Sequence, residues 1–275
     1  MLRERAGTRE KFSEMDESAL NEEVRSFWDE RPCNIRHSDK KIGTREYFED
    51  VSRRKYFVES HIPAFARFEK YKGKDVLEVG CGIGTAAQSF MEAGATYTGI
   101  DISSRSVDIA RRRARVFELD GKFLVADVQK NDFVDGSFDL VYSFGVLHHI
   151  PNLDAALRNI RDVLKPGGEF KLMMYAEDSW KKACIDSGLD QYEAQSGVPI
   201  AETFTKEEIT RILSPHFVDV CTEQDHIFQW NVSEYKNYRY VKEAWFEAMP
   251  DSLIRALEKR FGWHLLITCR KPMTE

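Results

Sequence analysis

The sequence lacks a long apolar run: nothing in its 275 residues reaches the ~18 consecutive apolar residues that a membrane span requires. It also lacks a signal-like start. The N-terminus is rich in arginine and glutamate with no apolar segment, which predicts a cytoplasmic protein. Cysteine is scarce and scattered, at positions 33, 81, 184, 221 and 269, with no C-x-x-C pair. Neither a disulfide frame nor a zinc site is expected, and free thiols in a reducing compartment are. An excess of positive charge is missing too. Forty Lys and Arg against 46 Asp and Glu leave a net charge of −6, whereas a nucleic-acid binder needs clustered cations. The short basic runs Arg53-Arg54-Lys55 and Arg111-Arg112-Arg113 lie in helical contexts beside acids and read as solvated helix faces. No internal repeat or low-complexity linker divides the chain.

What is present is a core-forming sequence, 42% apolar and 31% charged. From Asp75 onward short apolar runs alternate with helical patterns, the signature of βαβ units and a parallel sheet. The predicted strands are Asp75–Val79, Tyr97–Asp101, Lys122–Ala126, Phe138–Phe144, Glu169–Tyr175, Phe217–Thr222 and His264–Cys269. Val107, Ala110, Ala114 and Phe117 share one helix face, as do Leu157, Ile160 and Leu164. The second of these helices is expected to stop at Lys165-Pro166-Gly167-Gly168.

Two regions fall outside this rhythm. Residues 1–70 read as an N-terminal helical extension and lid, carrying Trp28, Tyr47, Phe48, Tyr56 and Phe57. Residues 71–275 then form one α/β domain with substrate-cap insertions at about 176–215 and 223–262. These insertions hold Trp180, Tyr192, Phe228, Trp230, Tyr235, Tyr238, Tyr240 and Trp245. Aromatic stripes ordinarily pack, yet a cap over the carboxyl edge of a sheet is where a substrate cavity is built.

The most informative stretch is Val76-Leu77-Glu78-Val79-Gly80-Cys81-Gly82-Ile83-Gly84-Thr85. A buried strand runs into a glycine turn that lets backbone approach a ligand, and a helix start follows with free N–H groups. A dinucleotide fingerprint wants a small residue three after the second glycine. Thr85 stands there, and the form is G-x-G-x-G with Glu78 two residues ahead. The next strand ends at Asp101, followed by Ile102, and its carboxylate can accept two ribose hydroxyls. The third ends at Asp127, followed by Val128, where an acid can accept from an adenine amine or simply cap a turn.

With these motifs the chain resembles the class I S-adenosylmethionine-dependent methyltransferases. It looks most like the branch of ubiquinone and menaquinone biosynthesis enzymes and other small-molecule methyltransferases. The matching segments are VLEVGCGIGT (76–85), GIDIS (99–103), ADV (126–128), FDLVYSFGVLHHI (138–150) and LKPGG (164–168). The resemblance implies a Rossmann-like, doubly wound, mostly parallel sheet of seven strands with the last antiparallel. It implies S-adenosylmethionine as cofactor and S-adenosylhomocysteine as product. By the same resemblance Gly80 and Gly82 lie beside the methionine moiety, Asp101 on the ribose and Asp127 on adenine, with Cys81, Ile102 and Val128 as further cofactor-binding residues. Glu78 orients the turn or the amino group, and the backbone around Ser143 lines the pocket.

A sulfonium is a good leaving group, so in-line positioning of the acceptor supplies much of the acceleration. A protonated acceptor also needs a base, and His148 and His149, just past the fourth strand, are the catalytic candidates. Adjacent histidines without acidic co-ligands make a poor metal site, so no metal is expected. In the N-terminal region Tyr56 and His61 are candidate contacts to the methionine moiety. The expected function is methyl transfer to a small molecule, with oxygen slightly favoured over nitrogen or carbon. The expected state is a monomer or homodimer that binds no nucleic acid. The alternatives are the same cofactor used for non-methyl chemistry, and a nicotinamide-dependent dehydrogenase.

Overall fold

The apolar runs at the centre of the sheet, such as residues 76–79 and 170–176, become strands because they are buried on both faces, as parallel strands under helices must be. A computed structural model of the protein describes residues 17–130, 133–188, 197–237 and 239–273; Tyr192 and Tyr238, expected in the cap, lie outside these. The strands are β1 (Asp75–Val79), β2 (Thr96–Asp101), β3 (Lys122–Val125), β4 (Phe138–Phe144), β5 (Leu164–Ala176), β6 (Thr203–Phe204), β7 (Val218–Asp225) and β8 (His264–Arg270). They form one sheet in the order β3-β2-β1-β4-β5-β8-β7, with the two-residue β6 paired to β5. The pairs among β1 to β5 are parallel, and β8 runs antiparallel to both β5 and β7. This is the expected sheet with one short strand added.

The helices are α1 (Glu17–Glu30), α2 (Arg45–Val58), α3 (Ile62–Ala66), α4 (Thr85–Glu92), α5 (Ser104–Val116) and α6 (Leu153–Val163). After β5 come α7 (Trp180–Asp186), α8 (Lys206–Leu213), α9 (Val232–Lys236), α10 (Ala244–Glu247) and α11 (Asp251–Phe261). Side chains alternate across the strands. Leu77 and Val79 therefore meet Leu157 and Ile160 of α6 on one face, while Val76 and Tyr142 meet Phe90 of α4 and Val107 of α5 on the other.

Some boundaries differ from expectation. The strand predicted from Glu169 begins at Leu164. Phe138 pairs with Leu164 and Leu140 with Glu169, so Lys165–Gly168 bulge out of a continuing strand instead of ending the structure before it. Part of the first cap insertion belongs to the core: β6 joins β5, and Ile209 and Leu213 of α8 are buried in the main cluster. The second carries a small cluster of its own, Ile227, Phe246 and Ile254. The two additions also meet each other, with Phe57 of α2 lying 5.8 Å from Trp230 and 5.3 Å from Tyr240 between ring centres. No described helix is long and apolar enough to cross a membrane.

Candidate active site

At the carboxyl ends of β1 and β2 the chain must turn sharply, and glycines allow it. Gly80, Gly82 and Gly84 have φ of +74°, +52° and +81°. The backbone N–H groups of Gly80 and Cys81 both donate to the Ile100 carbonyl, at 2.8 and 2.9 Å, so the turn is fastened to β2. A Cβ on Gly80 would lie 2.2 Å from Val146 Cγ2, whereas one on Gly82 would meet nothing within 4 Å. Gly80 is thus required by the protein's own packing, and Gly82 faces open space.

The three strand-end acids occupy different environments. Asp101 Oδ2 accepts from the Gly82 N–H at 2.8 Å and Oδ1 from the Ser103 N–H at 2.9 Å. Each oxygen keeps lone pairs for further donors. Burial pushes Asp101 up to about 6, against those two N–H groups, which pull it down. Glu78 is buried and accepts from the Tyr97 hydroxyl. Burial raises it to about 7, while Tyr97 and Lys55 act in the opposite sense. Asp127 is held by its surroundings: Oδ2 accepts from Asn21 of α1 at 2.6 Å and Oδ1 from the Gln129 backbone and side chain, both at 3.0 Å.

All three acids line one cavity of about 710 Å³ together with Gly80, Cys81, Gly82, Ile102 and Val128. That volume falls within the roughly 300–1,000 Å³ usual for small-molecule sites. The same cavity continues into a chamber walled by Val58, Ile62, Phe144, Met173, Tyr175 and Phe228, with Arg54, Lys55, Glu59, Lys181 and His264 among its polar groups. Helix α1 roofs the first part through Asn21, Val24 and Trp28.

Several predicted contacts are placed elsewhere. Tyr56 and His61 do not line the cavity. The Tyr56 hydroxyl lies 2.9 Å from Ser89 Oγ on α4, and His61 Nε2 lies 3.0 Å from His264 Nδ1. Ser143 is fully buried with an unpartnered hydroxyl, while its neighbours Tyr142, Phe144 and Gly145 face the cavity. The catalytic pair is corrected too. His148 stacks on Tyr175 with ring centres 3.8 Å apart, and both its nitrogens are sealed away without a partner. His149 reaches the cavity wall, but Nδ1 is 2.6 Å from the Ile200 carbonyl and Nε2 is sealed. Burial pulls His149 down to about 4 and His148 well below the usual imidazole range. Both fill space instead of presenting a lone pair. Among the described residues no group of three His, Cys, Asp or Glu is placed to hold a metal ion.

Sequence reasoning missed Asn21, Lys55, Glu59 and His264. The signal for His264 was available: the first residue of an antiparallel last strand lies at the carboxyl edge of its parallel neighbours, and His264 pairs with Tyr175 near the end of β5.

A sheet of this order with a glycine turn and acids at its carboxyl edge is the arrangement that the resemblance to class I S-adenosylmethionine-dependent methyltransferases implies. Residues 77–172 match the family model described as a methyltransferase domain, so the chain carries one, and S-adenosylmethionine is the cofactor of that class. A fatty-acid O-methyltransferase of Mycolicibacterium smegmatis is 36% identical over 43% of this chain and 44% of its own length. A sterol 24-C-methyltransferase of Gibberella zeae is 33% identical over 60% of this chain and 48% of its own. The chain therefore spans less than half the length of these curated relatives. Among solved structures, a chain of the complex between the Haloferax volcanii Trm112 methyltransferase activator and a methyltransferase superposes with a TM-score of 0.61. That match is 21% identical and covers 92% of this chain and 99% of that one, a likeness of fold. The residues present fit the cofactor, since Gly82 leaves space for it and Asp101 retains acceptor capacity toward the cavity.

Proposed function

We propose that this chain transfers a methyl group from S-adenosylmethionine to a small-molecule acceptor, with oxygen favoured over nitrogen and carbon. The observation that carries the reading is the single cavity, whose glycine-and-acid end opens into a largely apolar chamber. The cofactor supplies an activated methyl group. Gly80, Cys81 and Gly82 hold its methionine part beside Glu78, Asp101 and Ile102 hold the ribose, and Asp127 and Val128 meet adenine. Asn21 already donates to Asp127 and would share that carboxylate with the adenine amine. Residues 1–70 serve as a lid, with α1 over the cofactor end and α2 beside the chamber. Phe144, Tyr175 and Phe228 hold the acceptor's apolar body in line with the methyl, and exclusion of water by the lid strengthens each polar contact within.

The relatives named as fatty-acid and sterol methyltransferases suit a chamber with apolar walls. We read the protein as cytoplasmic, monomeric or homodimeric, and without a nucleic-acid partner, in keeping with its net charge of −6. The test is incubation with methyl-labelled cofactor and a fractionated cell extract. A labelled small molecule should form in step with S-adenosylhomocysteine, and S-adenosylhomocysteine should raise Tm where NADH does not. Stabilisation by NADH instead, or product in no fraction, would remove the reading.

A further inference from the structure

Three histidines from separate elements meet at the chamber end of the cavity: His61 between α2 and α3, His226 just after β7, and His264 at the start of β8. Their ring centres lie 5.1 Å (His61 to His226), 5.1 Å (His61 to His264) and 4.6 Å (His226 to His264) apart. Withdrawing imidazoles from water is costly unless their polar atoms are used, and packing on Phe144 accounts for the rings of His61 and His264 but not for their nitrogens. His264 alone of the three faces the cavity. Its Nδ1 lies 3.0 Å from His61 Nε2. Its Nε2 makes no hydrogen bond among the described residues, is not sealed from the cavity, and lies 3.9 Å from Glu59 Oε1 on the same wall.

We propose that His264, oriented by His61, is the base that takes the proton from a hydroxyl-bearing acceptor during methyl transfer, a step that rests on the methyltransferase reading above. When His264 donates its Nδ1–H to His61 Nε2, the Nε2 lone pair is left facing the chamber. A base within reach of the acceptor and a second group fixing that base is the usual logic of an activated nucleophile. The acceptor oxygen forms its bond to the methyl carbon as the carbon–sulfur bond breaks with its electron pair going to sulfur. The hydroxyl proton passes to His264 Nε2. Positive charge moves from the sulfonium to the imidazolium, and Glu59 stands beside the nitrogen that receives it. The proton leaves to water when the site opens.

The groups facing His264 are His226, His61, His148 and Lys55, which disfavour its cationic form, and Glu59, which favours it. Burial first, then those neighbours, hold His264 well below the usual imidazole range, so it is unprotonated at neutral pH, and the approach of Glu59 is what favours its protonated form during transfer. His61 is the positioning residue.

Nitrogen-15 NMR of the whole chain tests the first requirement without any acceptor. Nε2 of His264 is expected unprotonated at pH 7.5, and a proton there overturns the assignment. Transfer is then followed with two probes: catechol, whose oxygen must shed a proton, and decanoate, whose oxygen has none to shed at this pH. His264→Gln should lower kcat on catechol at least ~100-fold, with KM and the calorimetric affinity for S-adenosylhomocysteine little changed. His61→Phe should shift the pH profile of kcat. Full catechol turnover by H264Q removes the base while the methyltransferase reading stands, and so does methylation of decanoate alone. Wild-type protein that labels neither probe nor any extract fraction sinks both readings. If H264Q fails to fold, the wild-type spectrum still decides.

Discussion

A methyl group added at Gly80 would sit 2.2 Å from Val146 Cγ2, and one added at Gly82 would sit in the open cavity. The two glycines should therefore fail differently. Gly80→Ala forces both a left-handed alanine and a collision, and is expected to cost about 1–3 kcal/mol of stability in chemical denaturation. Gly82→Ala should cost about 1 kcal/mol for its positive φ but lower cofactor affinity more, because its Cβ enters the ligand's space. Equal stability losses with unchanged affinity for S-adenosylhomocysteine would mean that Gly82 faces no ligand. Asp101 belongs at the same scale. Its carboxylate fastens the Gly82 and Ser103 N–H groups, so Asp101→Ala removes the turn's anchor along with a charge-assisted contact. The expected loss is at least ~10-fold in calorimetric cofactor affinity, and wild-type affinity would refute the ribose contact. The turn and its acids were legible because their chemistry is local in sequence. The histidines were not: His148 and His149 stand in the expected segment, but their nitrogens point into packing, which only the neighbours Tyr175 and Ile200 reveal.

Helix α1 shows what an element's place depends on. Asp29 near its end accepts from the Ser103 hydroxyl at 2.8 Å and from the Arg105 N–H at 3.0 Å, thereby capping the start of α5 from another part of the chain. Farther up, Asn21 bonds Asp127 at 2.6 Å, and near its first turn Glu17 accepts from Asn152 at 3.0 Å. The roof is thus held at three points by polar bonds, while Leu20 and Val24 are its buried apolar residues. Such a helix can open without disturbing the sheet. Asp29→Ala should weaken its hold by about 1 kcal/mol, the usual worth of a cap. Amide exchange should quicken across 17–30 and not in β1 or β4, and S-adenosylhomocysteine should dissociate faster. Slower exchange in α1 with the variant, or no change in dissociation, would dismiss the lid. None of these latches is visible in the sequence, since each joins residues at least 74 positions apart. β1 and β4 were visible because their burial is nearly continuous, and they run where the apolar runs place them. The start of β5 was not, because Pro166 and Gly167 give the same local signal whether the chain turns away or bulges within a paired strand.

For the molecule as a whole, the two acids at the glycine turn that burial pushes upward couple folding, binding and pH. Glu78 rises to about 7 and Asp101 to about 6, from ordinary values near 4. With folded values above unfolded ones, the folded state holds the extra protons. Their stabilising contribution is whole below pH 4 and is lost as pH climbs through 6 and 7, on the order of 2–3 kcal/mol for each. By themselves these two carboxyls lower the stability of the ligand-free protein between pH 5 and 8, against the buried histidines, whose depressed values raise it as pH climbs toward 7. Relative to the wild type, Glu78→Gln should remove the loss that Glu78 contributes. A cationic ligand reverses the preference, because ammonium and sulfonium charges beside the carboxylates favour their ionised forms. Cofactor affinity should rise from pH 5.5 to 7.5, and binding at pH 6.5 should release protons. Calorimetry in two buffers of different ionisation enthalpy measures that release. Proton uptake, or none, would place the cofactor's charge away from Glu78 and Asp101. The raised carboxyls are thus a cost carried by the empty protein and relieved only by a ligand whose positive charge lies beside the glycine turn.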